Sequence, residues 1–72
     1  IVHPREVFKP AIKNSASKII LVHNHPSGNP SPSEEDKEII QRLKQIGEEL
    51  GIRVVDSVII GGNRWWGGEK NG

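Results

Sequence analysis

The chain has 72 residues, a formal net charge of +1, no cysteine and an apolar fraction of 33%. This length allows one small domain with a thin core, and the missing thiols exclude disulfides and cysteine-ligated zinc sites. The longest apolar run, residues 19–22, is far too short to cross a bilayer, and the N-terminus lacks the layout of a signal peptide. We therefore expect a fragment or minimal unit that is soluble, cytoplasmic and free of membrane contact.

A first helix is predicted over residues 4–15. Pro4 suits the first helical position, because a helix leaves that N–H unpaired in any case. An apolar stripe at helical spacing follows, made of Val7, Phe8, Ala11 and Ile12. Pro10 removes one interior hydrogen bond, so we expect the helix to bend there or to begin nearer Pro10 than Pro4.

A first strand is predicted over residues 18–23. It is apolar on both faces, which is typical of a strand covered by helices on both sides of a sheet. The strand leads into His23 and His25, which are two residues apart, and on an extended backbone both imidazoles project to the same face. Residues 26–32 contain three prolines and one glycine, which exclude regular structure and stiffen the loop.

A second helix is predicted to begin after Ser33, which has capping-box spacing to Asp36, and to end at Gly51. Its buried stripe is predicted to contain Ile39, Ile40, Leu43, Ile46 and Leu50. Residues 52–60 then form a second strand, supported by their β-branched side chains. The order helix, strand, helix, strand predicts a parallel strand pair within a three-layer α/β unit.

The pattern weakens from Gly61 onward, where five glycines surround Trp65 and Trp66. We assign residues 1–61 to the core domain and residues 62–72 to a tail. This tail is expected to be a hairpin-like turn, a ragged sheet edge or a disordered end. The two tryptophans are interpreted as packing or tail residues, in preference to a stacking platform for nucleobases.

The position of Asp36 on the second helix suggests a metal site. It lies on the same helical side as Ile40 and Leu43, and a carboxylate turned toward the sheet is costly to bury without a partner. A divalent cation bound by two imidazoles and this carboxylate would be such a partner, and would leave a fourth zinc position open for water. That arrangement suits hydrolysis of an acyl bond.

Each of these residues also has a purely structural interpretation. Two histidines at a strand end are common surface residues, and Asp36 could serve only the helix dipole. Ser33 is expected to be the N-cap, a role that leaves its hydroxyl hydrogen free to point outward. His3, beside Pro4, is interpreted as an ordinary surface histidine.

The combination of His-x-His, seven residues, Ser, two residues and Asp resembles the core signature of the JAMM (MPN-type) zinc metalloprotease family. The matching residues are His23, His25, Ser33 and Asp36. The segment His-Asn-His-Pro-Ser-Gly at residues 23–28 resembles the RadC-like bacterial branch of that family. The resemblance extends over residues 1–61.

This resemblance implies a partial MPN-type unit of the cytidine-deaminase-like α/β class. It implies that His23, His25 and Asp36 bind Zn²⁺, and that Ser33 polarises the carbonyl of a peptide-like substrate or holds the oxyanion. The family also uses a glutamate general base on a strand that precedes every residue of this chain, so Glu6 on the first helix is not a candidate. Because loss of a general base costs about 10²–10⁴ in rate, we expect zinc binding with weak hydrolysis.

Two other functions are compatible with the same resemblance. One is a DNA-associated repair or processing factor, supported by the basic first helix and the paired tryptophans. The other is an inactive MPN interaction module, which the intact metal motif disfavours. The resemblance also implies a further strand after Gly61, whereas residues 63–68 do not resemble the usual continuation.

Overall fold

The computed structural model describes residues 3–68, which form two helices and a three-stranded sheet. The elements are α1 (Pro4–Lys13), β1 (Lys18–Asn24), α2 (Glu34–Leu50), β2 (Arg53–Gly61) and β3 (Arg64–Gly67). The sheet order is β1-β2-β3, with β1 parallel to β2 and β3 antiparallel to β2. The predicted α/β class and the parallel pair are confirmed, and β3 is an additional strand. Neither helix in this part of the chain is long and apolar enough to span a membrane.

Helix α1 begins at Pro4, as predicted, and runs through Pro10 to Lys13. It ends two residues earlier than predicted, because the chain turns at the next two positions. The Asn14 side-chain amide donates to the carbonyl of Pro10 at 2.8 Å, and Ser15 has a left-handed backbone with φ of 56°. The side-chain hydrogen bond of Asn14 and the left-handed backbone of Ser15 thus end the helix.

Helix α2 has the predicted boundaries, with Ser33 as N-cap and Gly51 in the left-handed conformation after its last turn. Gly47 is buried on this helix, and a Cβ there would collide with the carbonyl of Ile52, so glycine permits the close approach of the chain entering β2. The predicted stripe is buried at its centre only. Leu50 lies in the last turn, beyond the core, and is 48% exposed.

The core lies between the two helices and one face of the sheet. Its buried residues are Phe8, Ala11, Leu43, Ile52 and Val54. Ile19 and Leu21 of β1 pack against this cluster, whereas Ile20 and Val22 are 58% and 65% exposed on the opposite face. Within residues 3–68 the prediction that β1 is covered on both faces is therefore wrong, because α1 and α2 pack on the same side.

The segment after Gly61 forms a hairpin, which is one of the three structures expected for it. Gly62 and Asn63 make a two-residue turn, a length that joins antiparallel strands. Trp65 and Trp66 then pair with Ile60 and Ile59 of β2. The further strand that the family resemblance implied after Gly61 is therefore present as β3, although residues 63–68 do not resemble its usual continuation. Residues 69–72 of the predicted tail lie outside the described residues.

Candidate metal centre

Three side chains with metal-ligating atoms meet where β1 ends and α2 begins. His23 lies near the end of β1, His25 follows its last residue, and Asp36 lies in the first turn of α2. Their ligand atoms all lie within 4.8 Å of one another. The cluster occupies the carboxyl end of a parallel strand, where open α/β sheets commonly bind ligands.

The pairing of β1 with β2 places both imidazoles. His23 pairs in parallel register with Ile59, and the backbone N–H of His25 donates to the carbonyl of Ile60 at 2.8 Å. The extended conformation therefore reaches His25, and strand alternation sends both rings to the same side. Their centroids are 4.9 Å apart and the ring planes are nearly perpendicular, at 87°.

Asp36 is fixed by the capping box of α2. Its Oδ2 accepts a hydrogen bond from the backbone N–H of Ser33 at 2.9 Å, and its own N–H donates to Ser33 Oγ at 3.1 Å. The backbone hydrogen bond from Ser33 lowers the pKa of Asp36, His25 adds to that lowering, and partial burial opposes it. Asp36 is therefore an ionised carboxylate at neutral pH, which a cation requires.

Both ring nitrogens of His25 face oxygen atoms. Nδ1 lies 2.8 Å from the carbonyl oxygen of Asn29, and Nε2 lies 3.0 Å from Oδ2 of Asp36. Because a carbonyl oxygen can only accept, we assign a hydrogen to Nδ1. With its hydrogen on Nδ1, the ring can bind a cation in the cluster through the Nε2 lone pair, as a metal ligand requires.

The donor set and its spacing fit a zinc ion. Ligands at about 2.0–2.1 Å from a tetrahedral zinc are separated by about 3.4 Å, so side-chain adjustments of about 1.5 Å or less would complete the site. Two imidazoles and one carboxylate are the donors of several catalytic zinc sites, which keep one position open. His23 is exposed, so solvent and solutes reach that side of the cluster.

A cavity of about 300 Å³ adjoins the cluster between α2 and the sheet. It is lined mainly by apolar side chains from both helices and the sheet. The lining residues are Val7, Leu21, Val22, His23, Glu35, Asp36, Ile39, Ile40, Leu43 and Ile59. Such an apolar space beside polar groups is typical of small-molecule and substrate sites.

His3 and Glu6, neither of which was predicted to act at the site, are not members of the cluster. His3 precedes α1 and Glu6 lies on it, and both are exposed. Asn29, in contrast, contacts Nδ1 of His25 through its backbone carbonyl. Because any residue has such a carbonyl, the side chain of Asn29 gave no sequence signal for this role. Arg64 contacts the same loop from 36 residues further along the chain. The only sequence sign of that contact is the glycine pair that ends β2, since strand glycines often mark a close backbone approach.

A sequence model described as RadC-like JAB domain matches residues 1–71. A UPF0758 protein of Geobacter sulfurreducens is 60% identical over 65 residues, covering 90% of this chain and 28% of the relative. A UPF0758 protein of Caldanaerobacter subterraneus is 67% identical over 64 residues, covering 89% of this chain and 28% of the relative. A UPF0758 protein of Trichlorobacter lovleyi is 54% identical over 72 residues, covering 100% of this chain and 31% of the relative. The chain thus spans less than a third of the length of these relatives.

Proposed function

This chain belongs to the family of RadC-like JAB domains, and we propose that it supplies the metal ligands of a zinc-dependent hydrolase of the metallopeptidase type. The observation that carries the proposal is the convergence of His23, His25 and Asp36, whose ligand atoms lie within 4.8 Å of one another. Family membership supports a hydrolase in general terms. Cleavage of a peptide or isopeptide-like bond is the specific reaction proposed.

The three ligands have the properties that this role requires. Asp36 is ionised, and His25 is oriented by the carbonyl of Asn29 so that Nε2 faces the cluster. A zinc ion bound there would act as a Lewis acid and lower the pKa of a water molecule to about 7. The exposed side of His23 leaves room for the substrate carbonyl to approach.

Ser33 is proposed to stabilise the oxyanion of the substrate. Its Oγ accepts the N–H of Asp36, and this cap leaves the hydroxyl hydrogen available to a second partner. The side chain is exposed, so a substrate carbonyl at the cluster can reach it. A donor directed at the oxygen that becomes negative stabilises the transition state more than the ground state.

The general base is proposed to come from outside residues 3–68. In this part of the chain the cluster contains one carboxylate, Asp36, and its Oδ2 is already engaged by Ser33 and His25. The family resemblance implies a glutamate base on a preceding strand, and this supports the proposal. We therefore propose that the chain alone binds metal well and turns over slowly, by the factor of about 10²–10⁴ that a general base contributes.

Zinc titration by calorimetry tests the metal site. We expect His23→Ala to weaken zinc binding by about tenfold or more, because one of three protein ligands is lost. His3→Ala is the matched control, since His3 is exposed and makes no side-chain capping bond. Equal zinc affinity of His23→Ala and the wild-type chain would contradict the proposal.

A DNA-associated role is the second candidate, and one observation favours it. Arg5, Lys9 and Lys13 are exposed and follow one another at intervals of four residues, which places them along one side of α1. If this stripe contacts phosphates, a gel shift on DNA should weaken steeply as salt is raised, and Lys9→Ala should reduce that dependence. Absence of any shift at low salt would exclude this role for the chain.

A further inference from the structure

The loop between β1 and α2 is held by the β2–β3 hairpin. Arg64, the first residue of β3, donates from Nη2 to the carbonyl oxygen of Gly28 at 3.2 Å. Gly61, the last residue of β2, is buried against the same loop. A Cβ at Gly61 would lie 2.6 Å from the Gly28 carbonyl oxygen and 2.7 Å from the nitrogen of Pro30. The hairpin therefore contacts the loop through one hydrogen bond and one close backbone approach.

Both contacts involve Gly28, and Gly61 also approaches Pro30, so together they enclose the residue that orients a metal ligand. Asn29 stands between Gly28 and Pro30, and its carbonyl oxygen lies 2.8 Å from Nδ1 of His25. A shift of the Gly28–Pro30 backbone would move this carbonyl together with the atoms that the hairpin contacts. The position of the hairpin thus bears directly on the rotation of the His25 ring and on which nitrogen carries its hydrogen.

The same hairpin also fixes the backbone of His25. The N–H of His25 donates to the carbonyl of Ile60, the residue that precedes Gly61. Residues 60–64 therefore hold the backbone of His25 directly. Through the loop they also hold the carbonyl of Asn29, which accepts from the His25 ring. A ring held at both ends loses less conformational freedom when it binds a ligand.

We propose that Gly61 and Arg64 are positioning residues of the metal centre. Gly61 allows the loop to approach the sheet because it lacks a Cβ. Arg64 holds the carbonyl of Gly28, so that Asn29 keeps His25 in the tautomer that presents Nε2 to the cluster. This inference rests on the proposed function, since it concerns the same metal site.

The test compares metal binding and stability in matched variants. We expect Arg64→Ala to weaken Zn²⁺ binding by about tenfold, within the range of about 10–100-fold that groups orienting metal ligands contribute. Arg64→Lys keeps a cationic donor and should restore most of the affinity. Arg53→Ala removes an exposed arginine from the opposite end of β2 and should leave the affinity within about twofold of wild type.

The glycine is tested with its own control. Gly61→Ala should weaken zinc binding at least as much as Arg64→Ala, because the added methyl displaces the loop. Gly47→Ala places a methyl against the carbonyl of Ile52, far from the loop, so it should lower the melting temperature without changing the zinc affinity of the folded protein. If Gly61→Ala does not fold, the zinc affinity of Arg64→Ala alone tests the proposal.

Two spectroscopic measurements separate positioning from general destabilisation. The d–d absorption of bound Co²⁺ should change in Arg64→Ala and stay unchanged in Arg53→Ala, because it reports the geometry of the ligands. Long-range ¹H–¹⁵N NMR spectra of the metal-free protein should show a hydrogen on Nδ1 of His25 in wild type, where the carbonyl of Asn29 accepts it, and loss of that hydrogen in Arg64→Ala.

The outcomes also separate this inference from the proposed function. Wild-type zinc affinity and an unchanged Co²⁺ spectrum in Arg64→Ala would overturn the inference and leave the metal site standing. A wild-type chain that binds no metal would contradict the proposed function. The NMR spectra of the metal-free protein would still test the inference, and retention of the Nδ1 hydrogen of His25 in Arg64→Ala would then overturn the inference.

Discussion

Nε2 of His25 lies 3.0 Å from Oδ2 of Asp36, at the point where the proposed metal ion would bind both residues. A ring protonated on both nitrogens donates to Asp36 and to the carbonyl of Asn29 at once. A neutral ring with its hydrogen on Nδ1 instead points a lone pair at the carboxylate. A proton and a metal cation therefore compete for the same position between His25 and Asp36.

This competition predicts that zinc affinity falls as the pH is lowered and that zinc binding releases protons, because a ring nitrogen must be free of its proton before it can bind the metal. Asp36 adds little to the effect near neutral pH, because its lowered pKa keeps it ionised there. Calorimetric titrations in two buffers of different ionisation enthalpy measure the proton release. A pH-independent affinity would contradict the competition.

The hydrogen bond from Ser33 to Asp36 predicts a pH dependence of folding in the metal-free protein. Because the pKa of Asp36 is lower in the folded state, its ionisation stabilises the fold above the unfolded-state pKa of about 3.9. This contribution is lost as the pH falls through the lower folded-state pKa.

Urea unfolding of wild type and Asp36→Asn at about pH 6 and about pH 2.5 measures this contribution. Asparagine keeps an oxygen that can accept from Ser33 but carries no charge. We expect wild type to be the more stable protein at the higher pH and the difference to shrink at the lower one. A difference that stays constant or grows on acidification would show that the charge of Asp36 does not stabilise the fold.

Ser33 can be tested for a role beyond capping with two substitutions. Ser33→Ala removes both the cap and the hydroxyl, and we expect it to destabilise the fold by about 1 kcal/mol. Ser33→Gly also removes the hydroxyl, but glycine is well tolerated at the N-cap and leaves no side-chain donor, so its stability should stay close to wild type.

The informative measurement is the affinity of the zinc-loaded variants for a peptide phosphonamidate, whose anionic oxygen occupies the place of the oxyanion. Removal of one oxyanion donor typically costs about 10²–10³ in rate, so we expect Ser33→Gly to weaken this binding by about tenfold or more. Wild-type affinity in Ser33→Gly would assign Ser33 to capping alone. Binding of zinc itself serves as the control and should be unchanged.

The features predicted correctly from the sequence are those encoded by nearby residues. The capping spacing from Ser33 to Asp36 and the glycine at position 51 gave the boundaries of α2. The parallel pairing followed from the order of the elements and the apolar strands. The juxtaposition of His23, His25 and Asp36 could be anticipated because strand alternation and helix register both act over a few residues.

The features that the sequence did not predict depend on distant contacts. An apolar run such as residues 19–22 shows which side chains favour burial, but Ile20 and Val22 are exposed because α1 and α2 share one face of the sheet. The contact of Arg64 with Gly28 joins residues 36 positions apart and requires the hairpin to form first. Gly61 and Gly62 indicate a close approach at that point, but they do not identify the segment that approaches.

The centre and the C-terminal end of the predicted α2 stripe provide a direct test of the core. Leu43 and Leu50 are the same residue type on the same helix, yet they are 3% and 48% exposed. Leu43→Ala should destabilise the protein by about 2–5 kcal/mol, because it leaves a cavity among packed side chains. Leu50→Ala should cost about 0.5 kcal/mol, as is usual for surface positions.

Urea unfolding with a common m-value measures both changes. Leu50→Ala also controls for helix propensity, because leucine and alanine are both good helix formers and the same exchange is made in each variant. A loss of stability in Leu50→Ala as large as that in Leu43→Ala would mean that Leu50 is covered in solution. Its cover would then have to come from outside residues 3–68, since α1 and the sheet leave it exposed.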